Sequence, residues 1–145
     1  QLKKQGLTVK AILDFHVRYK YTLMAHSPSK YAELGRMLAD AGNHEPDALG
    51  ERYFAELMTT LKTLASRKTH TNVLMHLQGY LKKKISSSEK QELATIIEQY
   101  RTAQIPLIVP VTLLRHHFNN HPDPYINKQA YMQPYPDDLS LRNAI

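Results

Sequence analysis

Leu93, Ile96, Ile97 and Tyr100 stand at i, i+3, i+4 and i+7, and this helical spacing of apolar residues recurs along nearly the whole chain. It restricts the fold more than any other feature. Thr8 can cap a first helix over residues 8–25, and Pro28 ends that region. Ser29 can cap a second helix that runs to Gly42. A third is expected over 47–65, with Leu49, Tyr53, Phe54, Leu57, Leu61 and Leu64 inward, and a fourth over 69–84. Ser86-x-x-Glu89 has the form of a capping box and opens a fifth. The apolar run 105–109 could make a short strand, but no partner strand is available. Pro106 and Pro110 suit a buried connector, with Pro110 near the first turn of a sixth helix that ends by Pro122. A short helix over 125–131 and an extended tail follow, the tail made irregular by Pro134 and Pro136. The expected fold is all-α: one compact domain over 1–145, a bundle of about six helices with a Pro-rich C-terminal tail.

The bulk numbers narrow the function classes. The chain has 145 residues and is 42% hydrophobic, enough for a real core. No run reaches the ~18 apolar residues that suggest a membrane span. There is no cysteine, so the chain supplies no disulfide, no thiol nucleophile and no thiolate for an iron–sulfur cluster. A cytoplasmic location is expected. The sequence begins at Gln1, as expected of a trimmed chain or a domain of a longer one.

Net charge is +6, and it is unevenly placed. Residues 1–39 hold seven Lys/Arg and two acids, whereas 40–56 hold five acids and one Arg. Residues 57–88 hold six Lys/Arg and no acid. Residues 89–145 are near balance, with six acids and five Lys/Arg. Two segments therefore carry the positive excess, and a surface built from them would suit nucleic acid, an acidic protein or anionic lipid.

The acid-free segment contains the most specific pattern. Over 69–84, Val73, Leu74, Leu77 and Leu81 share one side of a helix, while Asn72, His76, Tyr80 and Lys83 share another. A stripe of amide, imidazole, phenol and ammonium can contact phosphates and bases. Lys82, Lys83 and Lys84 are equally explained as cations at a helix C-terminus. Nine tyrosines, with Tyr19, Tyr21, Tyr31, Tyr80 and Tyr100 in or near the basic segments, add stacking surfaces, although a single Tyr is more often a core residue with its hydroxyl at the surface.

Two helices carry polar groups where the core should be. In the first, His16 and Lys20 fall within the stripe of Val9, Ile12, Leu13, Val17, Leu23 and Met24, with His26 on an adjacent strip. A buried lysine needs a partner, a cleft or an exit to solvent. In the sixth, His117 points between Leu113 and Leu114, and His116 lies on a flank. A histidine near a core face is more often a hydrogen-bonded structural residue than a ligand. His117 and His121 are spaced i, i+4, but no carboxylate stands nearby at metal-ligand spacing and HExxH is absent. There is no G-x-S-x-G motif, and paired carboxylates are scarce in the polar-rich segments.

A longer pattern runs through the chain. Phe15-His16-x-x-x-Lys20-Tyr21-x-Leu23-Met24-Ala25-His26 is followed by Tyr31-x-x-Leu34-Gly35-Arg36. Then come Thr69-His70-x-Asn72-Val73-Leu74-x-His76-x-x-Gly79-Tyr80 and Tyr100-Arg101. Pro106-Leu107-Ile108-Val109-Pro110-x-Thr112-Leu113-Leu114-x-His116-His117-Phe118, Gln129-x-Tyr131 and Leu141-Arg142-Asn143 close it. This pattern resembles the YbgA-like family of bacterial domains, over nearly the whole chain and in order. The resemblance implies a domain found alone or fused after an iron–sulfur desulfidase domain acting on thiolated uracil. In the fused enzymes acting on 4-thiouridine in tRNA, the YbgA-like part is thought to hold the tRNA, and the cluster's cysteines lie in the other domain. Two positions depart from the family pattern. Leu81 follows Gly79-Tyr80 where an aromatic is expected, and Arg101-Thr102-Ala103-Gln104 lacks the glycine of that turn.

The resulting expectation is an RNA-binding domain, for tRNA or another structured RNA, associated with thionucleotide desulfidation, non-catalytic itself and without a cofactor of its own. A desulfidase domain or protein is a candidate partner. Lys20, Lys68, Lys82, Lys83, Lys84 and Arg101 would hold phosphates; His70, Asn72, His76, Tyr80, His116 and His117 would contact sugar or base. Two alternatives are an enzyme using a cleft of His16, Lys20, His26 and His117 for acid–base work on a nucleotide or base, and an interaction module for an acidic protein.

Overall fold

A computed structural model describes residues 8–43 and 45–133. Its elements are α1 (Val9–Arg18), α2 (Lys20–His26), α3 (Pro28–Ala39), a 3-10 turn (Ala41–Asn43), α4 (Pro46–Lys62), α5 (Arg67–Tyr80), α6 (Ser87–Arg101), α7 (Ile108–Asn120), α8 (Pro124–Asn127) and a second 3-10 turn (Ala130–Met132). The fold is all-α, with no strand among the described residues. No helix there is long and apolar enough to cross a membrane. The tail with Pro134 and Pro136, and the Leu141-Arg142-Asn143 motif, lie outside the described residues. The chain divides into two compact units, residues 1–64 and 65–145.

In the N-terminal unit, Thr8 caps α1 as expected, its hydroxyl accepting from the Ala11 N–H at 3.1 Å. The single helix expected over 8–25 is two, parted at Tyr19, where ψ is 14°. α1 buries a narrow stripe, Ile12 and His16, whereas α2 buries four of its seven residues. The apolar pattern points Leu13 and Val17 inward, but they are 39% and 46% exposed. Each lies one residue, or about 100°, beyond the inward-facing Ile12 and His16.

Proline starts helices here. Ser27, not Ser29, caps α3, accepting from the Lys30 N–H at 3.2 Å, with Pro28 at the first helical position. Proline suits that position because its fixed φ is helical and its missing N–H is not needed. Glu45 caps α4 by accepting from the Asp47 and Ala48 N–H groups, each at 3.1 Å, again followed by proline. α4 stops at Lys62, which leaves Leu64 beyond it exposed, and Leu61, one residue round the helix from the buried Thr60, is exposed as well. Thr60 occupies the inward position, its hydroxyl donating to the Glu56 carbonyl at 2.9 Å. Ile12, Leu23, Leu34, Leu38, Leu49, Tyr53 and Leu57 form the core of this unit with Ala41.

In the C-terminal unit, Ser66 caps α5: its hydroxyl accepts from the Thr69 N–H at 3.1 Å, and its own N–H donates to the Thr69 hydroxyl at 2.9 Å. The Ser86/Glu89 capping box opens α6 as the sequence predicts, with reciprocal bonds of 2.8 and 3.2 Å. α5, α6 and α7 pack pairwise, and Val73, Leu74, Leu77, Leu93, Ile97, Tyr100, Val111 and Leu114 are buried. The expected connector after Ile105 is short: Leu107 is buried, Pro106 is exposed, and α7 begins at Ile108.

α6 ends in a Schellman turn. The Gln104 N–H donates to the Gln99 carbonyl at 2.8 Å, and the Ala103 N–H donates to the Tyr100 carbonyl at 3.0 Å. Ala103 sits at φ 65°, the left-handed position that usually takes glycine. The missing glycine noted in the sequence is therefore a residue held in an unfavourable backbone well.

Candidate nucleic-acid interface

α5 carries the polar stripe. Its inward side is Val73, Leu74 and Leu77, so Asn72 is half-buried while His76 and Tyr80 are exposed. Tyr80 is 38% exposed and stacks on Tyr125 of α8, centroids 6.1 Å apart and planes 29° apart. Burial, and secondarily the Tyr80 phenol, push the Tyr125 hydroxyl above its ordinary range. Tyr80 is thus a braced aromatic rather than a loose one.

The lysine run lies off the stripe. α5 ends at Tyr80, and 81–84 form turns, so Lys83 does not continue the line of Asn72, His76 and Tyr80. Lys82, Lys83 and Lys84 are all exposed. At the other end of α5, exposed Lys68 and Arg101 line one depression of about 380 Å³ with Thr71. Arg101 is already engaged. Its Nε donates to Glu98 at 2.8 Å and its Nη2 at 2.5 Å, which raises the guanidinium pKa and lowers that of the carboxyl. An incoming phosphate would have to share that fork.

Two predicted contact residues are buried instead. His70 is 2% exposed, and its Nδ1 lies 2.8 Å from the Tyr131 hydroxyl. Its i, i+4, i+7 spacing to Leu74 and Leu77 is the signal that places it on the inward side. His117 is also 2% exposed, and neither ring nitrogen has a hydrogen-bond partner among the described residues. Its neighbour His116 is exposed, with centroids 5.4 Å apart, and accepts at Nε2 from the Asn120 amide at 3.3 Å. Glu89, near the start of α6, has its carboxyl lowered mainly by the bonds from Ser86, with smaller contributions from His117 and His121.

One basic residue of the acid-free segment escapes sequence reasoning. Arg67 donates from Nη1 to the Tyr100 carbonyl at 2.6 Å and the Ile105 carbonyl at 3.3 Å, with its guanidinium 4.6 Å from the Tyr100 ring centroid. It stabilises the C-terminal end of α6, where carbonyls lack helical partners and a cation is favoured. Nothing in the local sequence separates it from Lys68, since its partners lie 33 and 38 residues away.

The N-terminal unit brings His16 and Lys20 close enough for the lysine charge to act on the imidazole, whereas His117, expected in the same cleft, belongs to the other unit. His16 Nδ1 lies 3.0 Å from the Tyr53 hydroxyl, and its ring stacks on Tyr31 with centroids 4.7 Å apart and planes 3° apart. Gly35 lies beside the ring, where a Cβ would make an ordinary contact 3.8 Å from Nε2. Burial, then the Lys20 charge, hold the imidazole below its usual pKa of 6.5. Burial, then Tyr31, push the Tyr53 hydroxyl well above the usual phenol range. Lys20 is half-buried, its ammonium 5.3 Å from the Tyr21 centroid. His26 plays a different part, because its Nδ1–H donates to the Thr63 carbonyl at 2.8 Å and ties down the end of α4. Among the described residues no group of three or more His, Asp and Glu side chains could hold a metal ion.

A family profile described as "Protein of unknown function (DUF1722)" matches residues 20–136. The chain is 37% identical over 145 residues to the protein called "Uncharacterized protein YbgA" from Escherichia coli (strain K12), covering 99% of this chain and 86% of that protein. No solved structure matches the chain.

Proposed function

The chain belongs to the YbgA-like DUF1722 family, and on that premise we propose that it is a non-catalytic RNA-binding domain, for tRNA, serving thionucleotide desulfidation. The observation that carries the binding part is a set of exposed cations and an exposed aromatic in the C-terminal unit, Lys68, Lys82, Lys83, Lys84 and Tyr80, with no acid over 65–88. Lys68 and the Lys82–Lys84 turn hold phosphates. Asn72, His76, Tyr80 and His116 contact sugar or base, with Tyr80 held for stacking by Tyr125. His70 and His117 have no part in contact, because both are buried. The link to desulfidation rests on the family resemblance.

The test is tRNA affinity against salt. Replacing Lys82, Lys83 and Lys84 by Ala should weaken binding and flatten the log–log salt dependence by about 0.7 per lost phosphate contact on single strands. Tyr80→Ala should lose about 1–3 kcal/mol with little change in salt slope. Folded protein that leaves tRNA unshifted at low salt would overturn the reading. A second reading, acid–base chemistry, is favoured by one observation: His16 is kept neutral beside Lys20. Lys20→Met that preserves tRNA affinity but reproduces a deletion phenotype would support it.

A further inference from the structure

We infer that the groove between α5 and α6 docks an amphipathic helix of a partner protein, with an apolar stripe bordered by Asp and Glu. The groove holds about 300 Å³, enough to receive anchor side chains rather than a whole helix. Leu81, Ile85 and Leu93 line it and are themselves buried. Met75 stands at its edge, 57% exposed. An unbranched thioether adapts to varied aliphatic partners and is frequent at helix-binding surfaces.

Gly79 supports the same conclusion. It lies in the last turn of α5 with no positive φ, and a Cβ built there meets nothing within 4 Å. Neither backbone nor neighbours require glycine, which costs a helix about 1 kcal/mol relative to alanine. Its effect is to keep one wall of the groove open. The charges define the occupant. The lining includes Lys82 and Lys90 and no carboxylate, and Lys83 and Lys84 follow in the same exposed turn. An apolar floor rimmed by ammonium groups complements leucine-type anchors flanked by carboxylates. This surface adjoins the proposed RNA stripe rather than coinciding with it: Met75 lies about 100° round α5 from His76, Gly79 about 60° from His76, and Lys82 is shared with the proposed phosphate contacts.

The probe is a fluorescein-labelled synthetic helix with leucines on one face bordered by glutamates. Its controls are a scrambled peptide of the same composition and a helix bordered by lysines. Polarisation with the full chain should show the acidic helix binding at least about tenfold tighter than either control, and the Met75 methyl resonance should move on titration. Gly79→Leu fills open space and should weaken binding about tenfold without lowering Tm. Met75→Glu, on an exposed side chain, should do the same and is the second variant if the first is unstable. Exchanging Lys82 and Lys90 for Glu should reverse the preference toward the lysine-bordered helix. Equal binding of the scrambled peptide, or indifference to both blocking variants, overturns the proposal. So does a Met75 shift that depends on protein concentration alone, which would make the occupant a second copy. A Met75 shift with tRNA and none with peptide would make it RNA, and also overturns it.

Discussion

Each unit buries a histidine whose Nδ1 meets a tyrosine hydroxyl, His16 with Tyr53 at 3.0 Å and His70 with Tyr131 at 2.8 Å. The surroundings differ. His16 is stacked flat against Tyr31 and feels the Lys20 charge, which adds to burial in keeping it neutral. The C-terminal unit has instead a second buried imidazole, His117, whose ring nitrogens meet no hydrogen-bond partner among the described residues. It also holds Ala103 in a left-handed conformation. The same residue type thus serves as a satisfied core group in one place and as a local cost in another. Position relative to the helix face does not tell these apart, because all three imidazoles lie on inward sides. What separates them is the partner arriving from elsewhere in the chain.

The strongest test removes each phenol. Tyr53→Phe and Tyr131→Phe should each destabilise by about 1–3 kcal/mol in urea unfolding, the cost of depriving a buried polar atom of its bond. Similar losses would make the phenol the main support in both units. A much smaller loss at Tyr53 would mean that the Tyr31 stack carries His16. The reverse sign is expected at His117. His117→Leu should raise stability by about 1–2 kcal/mol, since an imidazole buried without a partner is replaced by an apolar group. A loss of that size would show that His117 makes a bond in solution. Ala103→Gly should add about 1 kcal/mol by relieving the left-handed alanine, read as a rise in Tm. No gain would mean that the greater freedom of glycine in the unfolded chain offsets the relief.

Local signals in the sequence are good guides to local structure. The Ser86/Glu89 box, the inward Val73–Leu74–Leu77 face and the glycine missing near Ala103 all follow from interactions within a few residues. The stripe of Asn72, His76 and Tyr80 is legible for the same reason. What the sequence hides depends on more distant groups. The break at Tyr19 and the outward Leu13 and Val17 follow from how α1 and α2 pack, and a 3.6-residue pattern alone admits several inward directions. Arg67 and Lys68 are adjacent cations, yet one is consumed by carbonyls on α6 and the following turn and the other faces solvent. His26 and His16 look alike on neighbouring helical strips, but the Thr63 carbonyl claims His26.

The smallest expected effect separates the two histidine pairs most cleanly, because it concerns charge rather than bonding. His16 is held below its usual pKa of 6.5 by burial and by Lys20. Between that value and its lower folded value, the unfolded chain binds a proton that the folded chain does not. Stability therefore rises with pH in that window: the contribution is fully present above about 6.5 and is lost as pH falls through the folded pKa. Lys20→Met removes the second cause, so its loss on acidification should be shallower than in the parent chain. Tyr131→Phe leaves both causes untouched, so its curve should run parallel to the parent, merely lower. Urea unfolding from pH 7.5 down to about 5 measures both slopes. An unchanged slope in Lys20→Met would show that burial alone keeps His16 neutral, and that Lys20 acts on something other than the imidazole.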